Sequence, residues 1–395
     1  MSYLEPMRTR RLSAVLLALV TCLVVSAPIP AASAAPTKIT AADFRLREGA
    51  YNPVIATLDG ILPTASVPAV LDSANRGGTT EGCDPGAANQ VAAFCWQSGD
   101  NTTGDWYPQG ISSTADSYGN GTYDGRTALF VSWYYNGEGT GKGVRVSFVD
   151  YENPGSPEYR HVLLVDPYTN SAGQPDFRPV PVHAGGIFGY GHYLYVADTW
   201  GGFRAFDLGH LWQVTTGDES KIGRQSDGTY HAFNYRYVLP QAQTFTSSTT
   251  NGVPRLRYSA ASLDRTSTPD SVVVPEYDAD GTGTRIVRYP IDHTDRKFKE
   301  SPDGYTHGTE AYRVDIASMQ GATAIEGTFL VSASAGSANR GHVHTFTATS
   351  GPDRHQNAQP AGPEDLSYRS QDNQLWGLSE YPGNRFVYAM NPGGF

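Results

Sequence analysis

Five short segments of the chain each place a polar side chain directly before small or apolar residues. The polar residues of these segments are Gln109, His183, Gln241, Gln320 and Glu364. If successive units circle a common axis, equivalent positions meet around it, and the five side chains form a polar ring at one mouth of a central channel. Such a ring binds a polar ligand, water or a cation. The alternative is a structural role, in which the side chains hydrogen-bond neighbouring strands and buried water.

Two carboxylates, Asp198 and Glu380, follow two corresponding apolar strands. A pair of carboxyl groups near one channel is the arrangement that acid–base catalysis or glycoside hydrolysis needs. Arg204 follows Gly201-Gly202, so an ion pair with Asp198 across that hairpin is the alternative role. The sequence therefore gives a catalytic hypothesis for these two residues and no confident catalytic assignment.

The metal-binding patterns in the sequence are incomplete. The run from Asp278 to Thr284 has two acidic residues at the spacing of a calcium loop, but it lacks the third acidic position and the closing Glu. We predict an Asp-Gly turn there, with a structural calcium ion as the alternative. His342 and His344 share one side of a predicted strand without an evident third ligand, so no metal site is assigned with confidence.

The elements around these residues have the character of strands. No long segment holds a 3.6-residue apolar period, whereas short β-branched and aromatic runs alternate with Gly, Pro, Asn and Asp clusters. The clearest runs are 128–135, 193–197, 329–333 and 375–378, each followed by a Gly-containing turn and a second strand. Repeated strand-rich units of about 40–50 residues predict an all-β fold, a single β-propeller. Seven blades are favoured by length, with five or six open, and a pair of β-sandwich domains is the competing architecture.

The chain divides into three parts. Arg8, Arg10 and Arg11 precede an apolar run over residues 12–27, and the cleavage motif Ala32-Ser33-Ala34 follows. This order predicts a cleaved signal peptide over residues 1–34 and a secreted, extracellular protein. Residues 35–105 are loop-rich and are expected to contribute to closure of the ring, and residues 106–395 hold the blades. Cys83 and Cys95 are the two cysteines left after cleavage, so we predict a disulfide between them.

The charge balance excludes some partners. The full chain has a formal net charge of −10. Removal of the signal peptide leaves 26 basic and 38 acidic residues, a net of −12. A nucleic-acid-binding protein would show a basic face, so nucleic acid is not expected as a partner. No stretch after the predicted signal peptide approaches the roughly 20 apolar residues of a spanning helix, so a membrane is not expected as a partner either.

Several segments resemble secreted actinobacterial β-propellers, and the resemblance is strongest to the family of dispase autolysis-inducing proteins of streptomycetes. The segments that carry it are 182–188, 195–207 and 363–368. The resemblance implies a seven-bladed propeller that promotes autolysis of a thermolysin-like metalloprotease and is a substrate of transglutaminase. Candidate acyl donors for that modification are Gln90, Gln97, Gln356 and Gln359.

Three functional hypotheses follow. The leading one is a non-catalytic, secreted propeller without a cofactor, which binds another extracellular protein through aromatic-rich loops at 132–135 and 199–202. The alternative is an extracellular carbohydrate-active hydrolase or lyase that uses Asp198 and Glu380 at the channel mouth. The third is a structural cell-wall protein that is cross-linked through Gln and Lys side chains.

Overall fold

The computed structural model describes residues 34–139 and 141–395. The predicted signal peptide therefore lies outside the described residues, except for Ala34. Within these ranges the chain is built from short strands, with a few helices of at most six residues. None of the helices described is long and apolar enough to span a bilayer.

The described residues form five antiparallel units, which we call blades 1 to 5, each with an innermost, second, third and outer strand. The strands of blade 1 are Trp106–Ser113, Ala128–Tyr135, Val144–Asp150 and Glu158–Thr169. The strands of blade 2 are Ile187–Tyr190, Tyr193–Asp198, Gly202–Asp207 and Tyr237–Thr249. The long last strand also pairs in parallel with Leu163–Val165 of blade 1, so blades 1 and 2 share one continuous sheet.

The other three blades follow in chain order. The strands of blade 3 are Ser262–Asp264, Ser271–Pro275, Arg285–Asp292 and Glu310–Arg313. The strands of blade 4 are Met319–Ile325, Thr328–Ala333, His342–Phe346 and Asp353–His355. The strands of blade 5 are Pro363–Arg369, Gln374–Ser379, Phe386–Met390 and Gln90–Cys95.

The innermost strands contact each other in the order of blades 1, 2, 3, 4, 5 and back to 1, which makes the fold a β-propeller. The ring is closed by the strand Gln90–Cys95 from the N-terminal part of the chain, which pairs with Phe386–Met390 as the outer strand of blade 5. A disulfide joins Cys83 to Cys95 at a Cα–Cα distance of 5.6 Å. The predicted pairing of these cysteines is confirmed.

The remaining elements are short additions to the blades. The additional strands are Thr37–Lys38, Phe44–Glu48, Thr64–Ala65, Arg76–Gly77, Pro175–Pro179, Leu211–Gln213, Ile222–Arg224, Tyr230–Ala232, Lys297–Phe298 and Thr306–His307. The α-helices are Val54–Asp59, Val67–Asp72, Ser98–Thr102 and Thr114–Ser117, and the 3-10 helices are Ala41–Asp43, Leu208–His210 and Pro392–Gly394. Residues 208–236, between two strands of blade 2, form additions of this kind. Such insertions lengthen the repeat, and the described residues therefore hold five blades where seven were favoured.

Small residues let the innermost strands approach each other closely. A Cβ atom on Gly186 would lie 2.0 Å from the backbone nitrogen of Ala261, and one on Gly321 would lie 2.8 Å from the Cα of Asp365. Aromatic side chains fill the wider space between the outer parts of the blades. Phe203 on the third strand of blade 2, for example, stacks on Phe298 beside the third strand of blade 3 with a centroid distance of 5.1 Å, and both are buried. The blades are therefore held together by apolar burial, with polar groups concentrated near the axis.

Candidate functional site

Four polar side chains meet where the innermost strands begin, and we call them the axial mouth: Gln109, Gln320, Glu364 and Glu380. Gln320 and Glu364 are the second residues of the innermost strands of blades 4 and 5, Gln109 is the fourth residue of the innermost strand of blade 1, and Glu380 follows the second strand of blade 5. The Nε2 of Gln109 donates to Oε2 of Glu380 at 3.0 Å, and the Nε2 of Gln320 donates to Oε1 of Glu364 at 3.2 Å. Three of the five residues predicted for a polar ring are thus brought together with one of the two predicted carboxylates.

The two glutamates of the axial mouth have perturbed protonation. Burial raises the pKa of Glu364 well above its ordinary value, and the negative charges of Glu380 and Asp365 raise it further. Burial also raises the pKa of Glu380, against hydrogen bonds from Gln109 and Tyr381 and the positive charge of Arg385. Repulsion between the two carboxylates therefore disfavours the state in which both are ionised.

Half-buried tyrosines surround the axial mouth. Tyr134 stacks on Tyr107 with a centroid distance of 5.6 Å, and the His183 ring lies 4.4 Å from Tyr134. Burial raises the pKa of Tyr134 to about 12, and the carboxylates of Glu380 and Glu364 contribute to the rise. Burial and the same two carboxylates raise the pKa of Tyr381 to about 12. His183 therefore contributes to the rim of the mouth, whereas the polar groups at its centre are Gln and Glu.

Gln241 does not belong to the ring, and that prediction is wrong. It lies on the outer strand of blade 2, opposite Phe206, and its Oε1 accepts a hydrogen bond from Nη1 of Arg204 at 2.9 Å. The segment around Gln241 has the same polar-then-small pattern as the innermost strands. That pattern does not distinguish an innermost strand beside the axis from an outer strand that pairs with two neighbouring blades.

Asp198 is held in an ion pair away from the mouth glutamates. Its Oδ2 accepts hydrogen bonds from Nε and Nη2 of Arg204, at 2.9 and 2.8 Å. No hydrogen bond in the described part of the chain joins Asp198 to Glu380. The structural alternative for Asp198 is therefore the observed one, and the carboxyl group beside Glu380 is Glu364.

Two further buried carboxyl groups continue inward from the axial mouth. The Oδ2 of Asp365 accepts the backbone N–H groups of Ile111 and Ile187, at 3.3 and 3.2 Å, and so connects blade 5 to blades 1 and 2. Asp116 accepts hydrogen bonds from the hydroxyls of Ser112 and Ser367, at 2.7 and 2.9 Å. Burial raises the pKa of both aspartates. The sequence could have identified Asp365 as a candidate site residue, because the innermost strands of blades 1 and 4 carry a glycine, Gly110 or Gly321, at the equivalent position.

A Ser–His–Asp chain of hydrogen bonds, which the sequence analysis missed, is buried in blade 1. The Oγ of Ser147 lies 3.0 Å from Nδ1 of His161, whose Nε2 lies 3.0 Å from Oδ1 of Asp100. Trp133 donates to the same hydroxyl at 2.8 Å, so Ser147 donates to His161 and neutral His161 donates to Asp100. Burial lowers the pKa of His161 to about 3. Ser147 is fully buried and cannot meet a substrate, so we assign the chain of bonds to stability.

The remaining sequence candidates occupy turns and surfaces. In the 278–284 loop, Asp278 and Asp280 accept backbone N–H groups of Asp280 and Thr282, at 3.0 and 2.8 Å, as in a tight turn. The rings of His342 and His344 lie 6.4 Å apart. Gln90, Gln97 and Gln356 are exposed. Gln359, by contrast, is fully buried and hydrogen-bonded to Ser332 and Tyr388, so its assignment as an exposed acyl donor is wrong.

The chain was compared with known proteins at three levels. No protein-family model matches it, and no curated protein matches its sequence.

Several solved structures are similar in shape. The hydrazine synthase of Kuenenia stuttgartiensis aligns with 70% of this chain and 74% of its own, at 11% identity and a TM-score of 0.32. A GH43_1 enzyme from Xanthomonas citri aligns over 72% and 86%, at 8% identity and a TM-score of 0.32. The β-propeller domain of Cps50 (Swd1) from Myceliophteria thermophila aligns over 73% and 98%, at 8% identity and a TM-score of 0.35. We draw no functional argument from similarity at this level.

Proposed function

We propose that the chain is a secreted β-propeller that binds a carbohydrate at its axial mouth. The observation that carries the proposal is the combination of amide, carboxyl and tyrosine side chains around Glu364 and Glu380. Sugars present hydroxyl groups that both donate and accept hydrogen bonds, and they present apolar ring faces that pack on aromatic side chains. The partly exposed side chains of Gln320 and Glu380, which are held by the buried Glu364 and Gln109, match the first property, and the faces of the rim tyrosines match the second.

The secreted location in this proposal rests on the predicted signal peptide and on the Cys83–Cys95 disulfide. Disulfides persist in oxidising compartments outside the cytosol. An extracellular polysaccharide or the glycan of an extracellular protein would be accessible to the axial mouth there.

Binding of labelled oligosaccharides to the mature chain tests the proposal. We expect Gln109→Ala to weaken binding by about tenfold, because the variant removes the hydrogen bond that positions Glu380. Gln241→Ala is the matched control, since Gln241 is similarly buried but lies outside the mouth. Absence of binding across a broad panel of neutral and acidic oligosaccharides would count against the proposal, as would equal losses in the two variants.

Hydrolysis of the bound sugar is the second candidate function, and the proximity of Glu364 and Glu380 favours it. A carboxylic acid beside a carboxylate is the pair that glycoside hydrolysis uses. If the mouth is catalytic, Glu380→Gln should lower turnover by about a hundredfold or more while the oligosaccharide still binds. Asp198→Asn, at the carboxylate paired with Arg204, should leave turnover near the wild-type value. Equal turnover in the Glu380 variant and the wild type would remove that residue from any mechanism.

A protein partner, such as the metalloprotease or transglutaminase implied by the family resemblance, remains a hypothesis. Trp200 supports it, because 54% of this residue is exposed in the loop that the sequence singled out for partner binding. The other segment singled out as a loop, 132–135, is the end of the strand Ala128–Tyr135, and it begins with the buried residues Ser132 and Trp133. Pull-down from culture supernatant with the wild type and with Trp200→Ala tests whether this side chain contributes to capture.

A further inference from the structure

A cavity of about 290 Å³ lies beside blade 1, and none of the four residues of the axial mouth lines it. Its charged wall consists of Arg76, Lys142, Arg160, Arg236 and Glu219. This concentration of positive charge occurs in a chain whose formal net charge is −10. We call the feature the cationic cavity.

Most of the positive charge in the cationic cavity is not neutralised by the protein. Arg76 is paired with Asp100, with its Nε 3.1 Å from Oδ2. Within residues 34–139 and 141–395, no salt bridge joins Lys142, Arg160 or Arg236 to a carboxylate. Subtracting the single negative charge of Glu219 from these three cations leaves two positive charges for a ligand.

The surrounding aromatic rings hold these cations in place. The guanidinium carbons of Arg160 and Arg236 lie 5.4 and 5.3 Å from the centroid of the same ring, that of Tyr237. Arg160 also donates to the carbonyl oxygen of Ser73. The Nζ of Lys142 lies 5.7 Å from the centroid of the Phe233 ring. Like charges held this close repel each other, and a bound anion would offset the repulsion.

The rest of the cavity wall combines three aromatic side chains with those of Asn75, Asn234 and His161. The rings of Trp106 and Tyr235 meet edge to face at a centroid distance of 6.3 Å, and Phe233 also lines the cavity. These rings offer an apolar surface to the organic part of a ligand whose charged group is held by the cations. We propose that the cationic cavity binds a phosphate monoester, with its dianionic phosphate against Lys142, Arg160 and Arg236 and its organic group against Trp106 and Tyr235. A sulfate monoester carries only one negative charge and fits the excess of two less well.

Calorimetric titration of the mature chain with phenyl phosphate and phenyl sulfate, at pH 7.5 and low ionic strength, tests this proposal. The two probes share the aromatic ring and differ in charge. We expect saturable binding of phenyl phosphate, and binding of phenyl sulfate that is about tenfold weaker or more. Inorganic phosphate, which lacks the ring, should also bind more weakly than phenyl phosphate.

Variants with matched changes in charge locate the site. Lys142→Gln combined with Arg236→Gln should weaken phenyl phosphate binding by about tenfold or more. Lys299→Gln combined with Arg354→Gln removes the same total charge from exposed positions elsewhere and should leave binding unchanged. Circular dichroism confirms that each variant is folded, and Lys142→Gln alone serves if the first double variant is not.

Three results would overturn the proposal. The first is the absence of saturable phenyl phosphate binding by the wild type. The second is equal affinity for the two phenyl esters. The third is an equal loss in the two double variants, which would show that the protein responds to net charge and has no phosphate site in the cavity.

Discussion

Substitution of Glu364 by Gln should make the stability of the protein less sensitive to alkaline pH. Glu364 is only 3% exposed, and burial followed by the charges of Glu380 and Asp365 raises its pKa well above the ordinary value of 4.5. A carboxyl group whose pKa is raised by folding stabilises the folded state below its unfolded pKa. That contribution is lost as the pH rises through the folded pKa, because the unfolded chain ionises more readily. Gln has the shape of the protonated acid, and its oxygen accepts the same hydrogen bond from Gln320.

The size of the effect follows from proton linkage. For each pH unit between 4.5 and the raised pKa, wild type should lose about 1.4 kcal/mol of unfolding free energy relative to Glu364→Gln. Urea unfolding of both proteins at intervals from pH 4 to pH 9 measures the difference. The pH at which the difference stops growing gives the pKa of Glu364 in the folded protein.

The matched control is Glu300→Gln, which makes the same chemical change on the exposed surface. Its difference from wild type should not change with pH by more than a few tenths of a kcal/mol. A difference between Glu364→Gln and wild type that is constant from pH 4 to pH 9 would refute the reasoning, because Glu364 would then titrate alike in the folded and unfolded chains.

Three other substitutions probe the framework. Gly186→Ala should cost about 3 kcal/mol or more, or prevent folding, because the new methyl group would lie 2.0 Å from the nitrogen of Ala261; chemical denaturation measures this. Replacing Cys83 and Cys95 by Ala should cost about 2–4 kcal/mol and loosen the strand that seals the ring, which hydrogen exchange of residues 90–95 detects. Asp100→Asn should cost about 3–5 kcal/mol at pH 7, because it leaves the buried guanidinium of Arg145 without its carboxylate; a loss below 1 kcal/mol would contradict that role.

The strands were largely predictable because their signals are local. The predicted runs 128–135 and 193–197 correspond to the strands Ala128–Tyr135 and Tyr193–Asp198, and the runs 329–333 and 375–378 also lie within strands. Alternation of β-branched and aromatic residues between turn residues depends only on neighbours in the sequence. The number of blades was less predictable, since an insertion such as residues 208–236 has the same local character as a blade.

The candidate site was predicted in part. Gln109 and Gln320 were found from their position before a glycine and Glu364 from the corresponding position before Asp365, and the structure places the three around one axis. Gln241 matched the same pattern but lies on an outer strand, because pairing partners along its strand are distant in sequence. Asp198 was offered as an alternative second carboxylate beside Glu380, and it is instead paired with Arg204, since equivalence between two hairpins does not bring their ends together.

The amino-acid sequence alone determined the all-β character, the disulfide partners and the polar residues at the starts of three innermost strands. These properties depend on composition and on spacing over a few residues. Tertiary structure decided which carboxyl groups share the axial mouth, how burial and mutual repulsion change their pKa values, and that Arg160 and Arg236 flank one ring of Tyr237. Such properties depend on distances between residues far apart in the chain, and closure of the ring sets those distances.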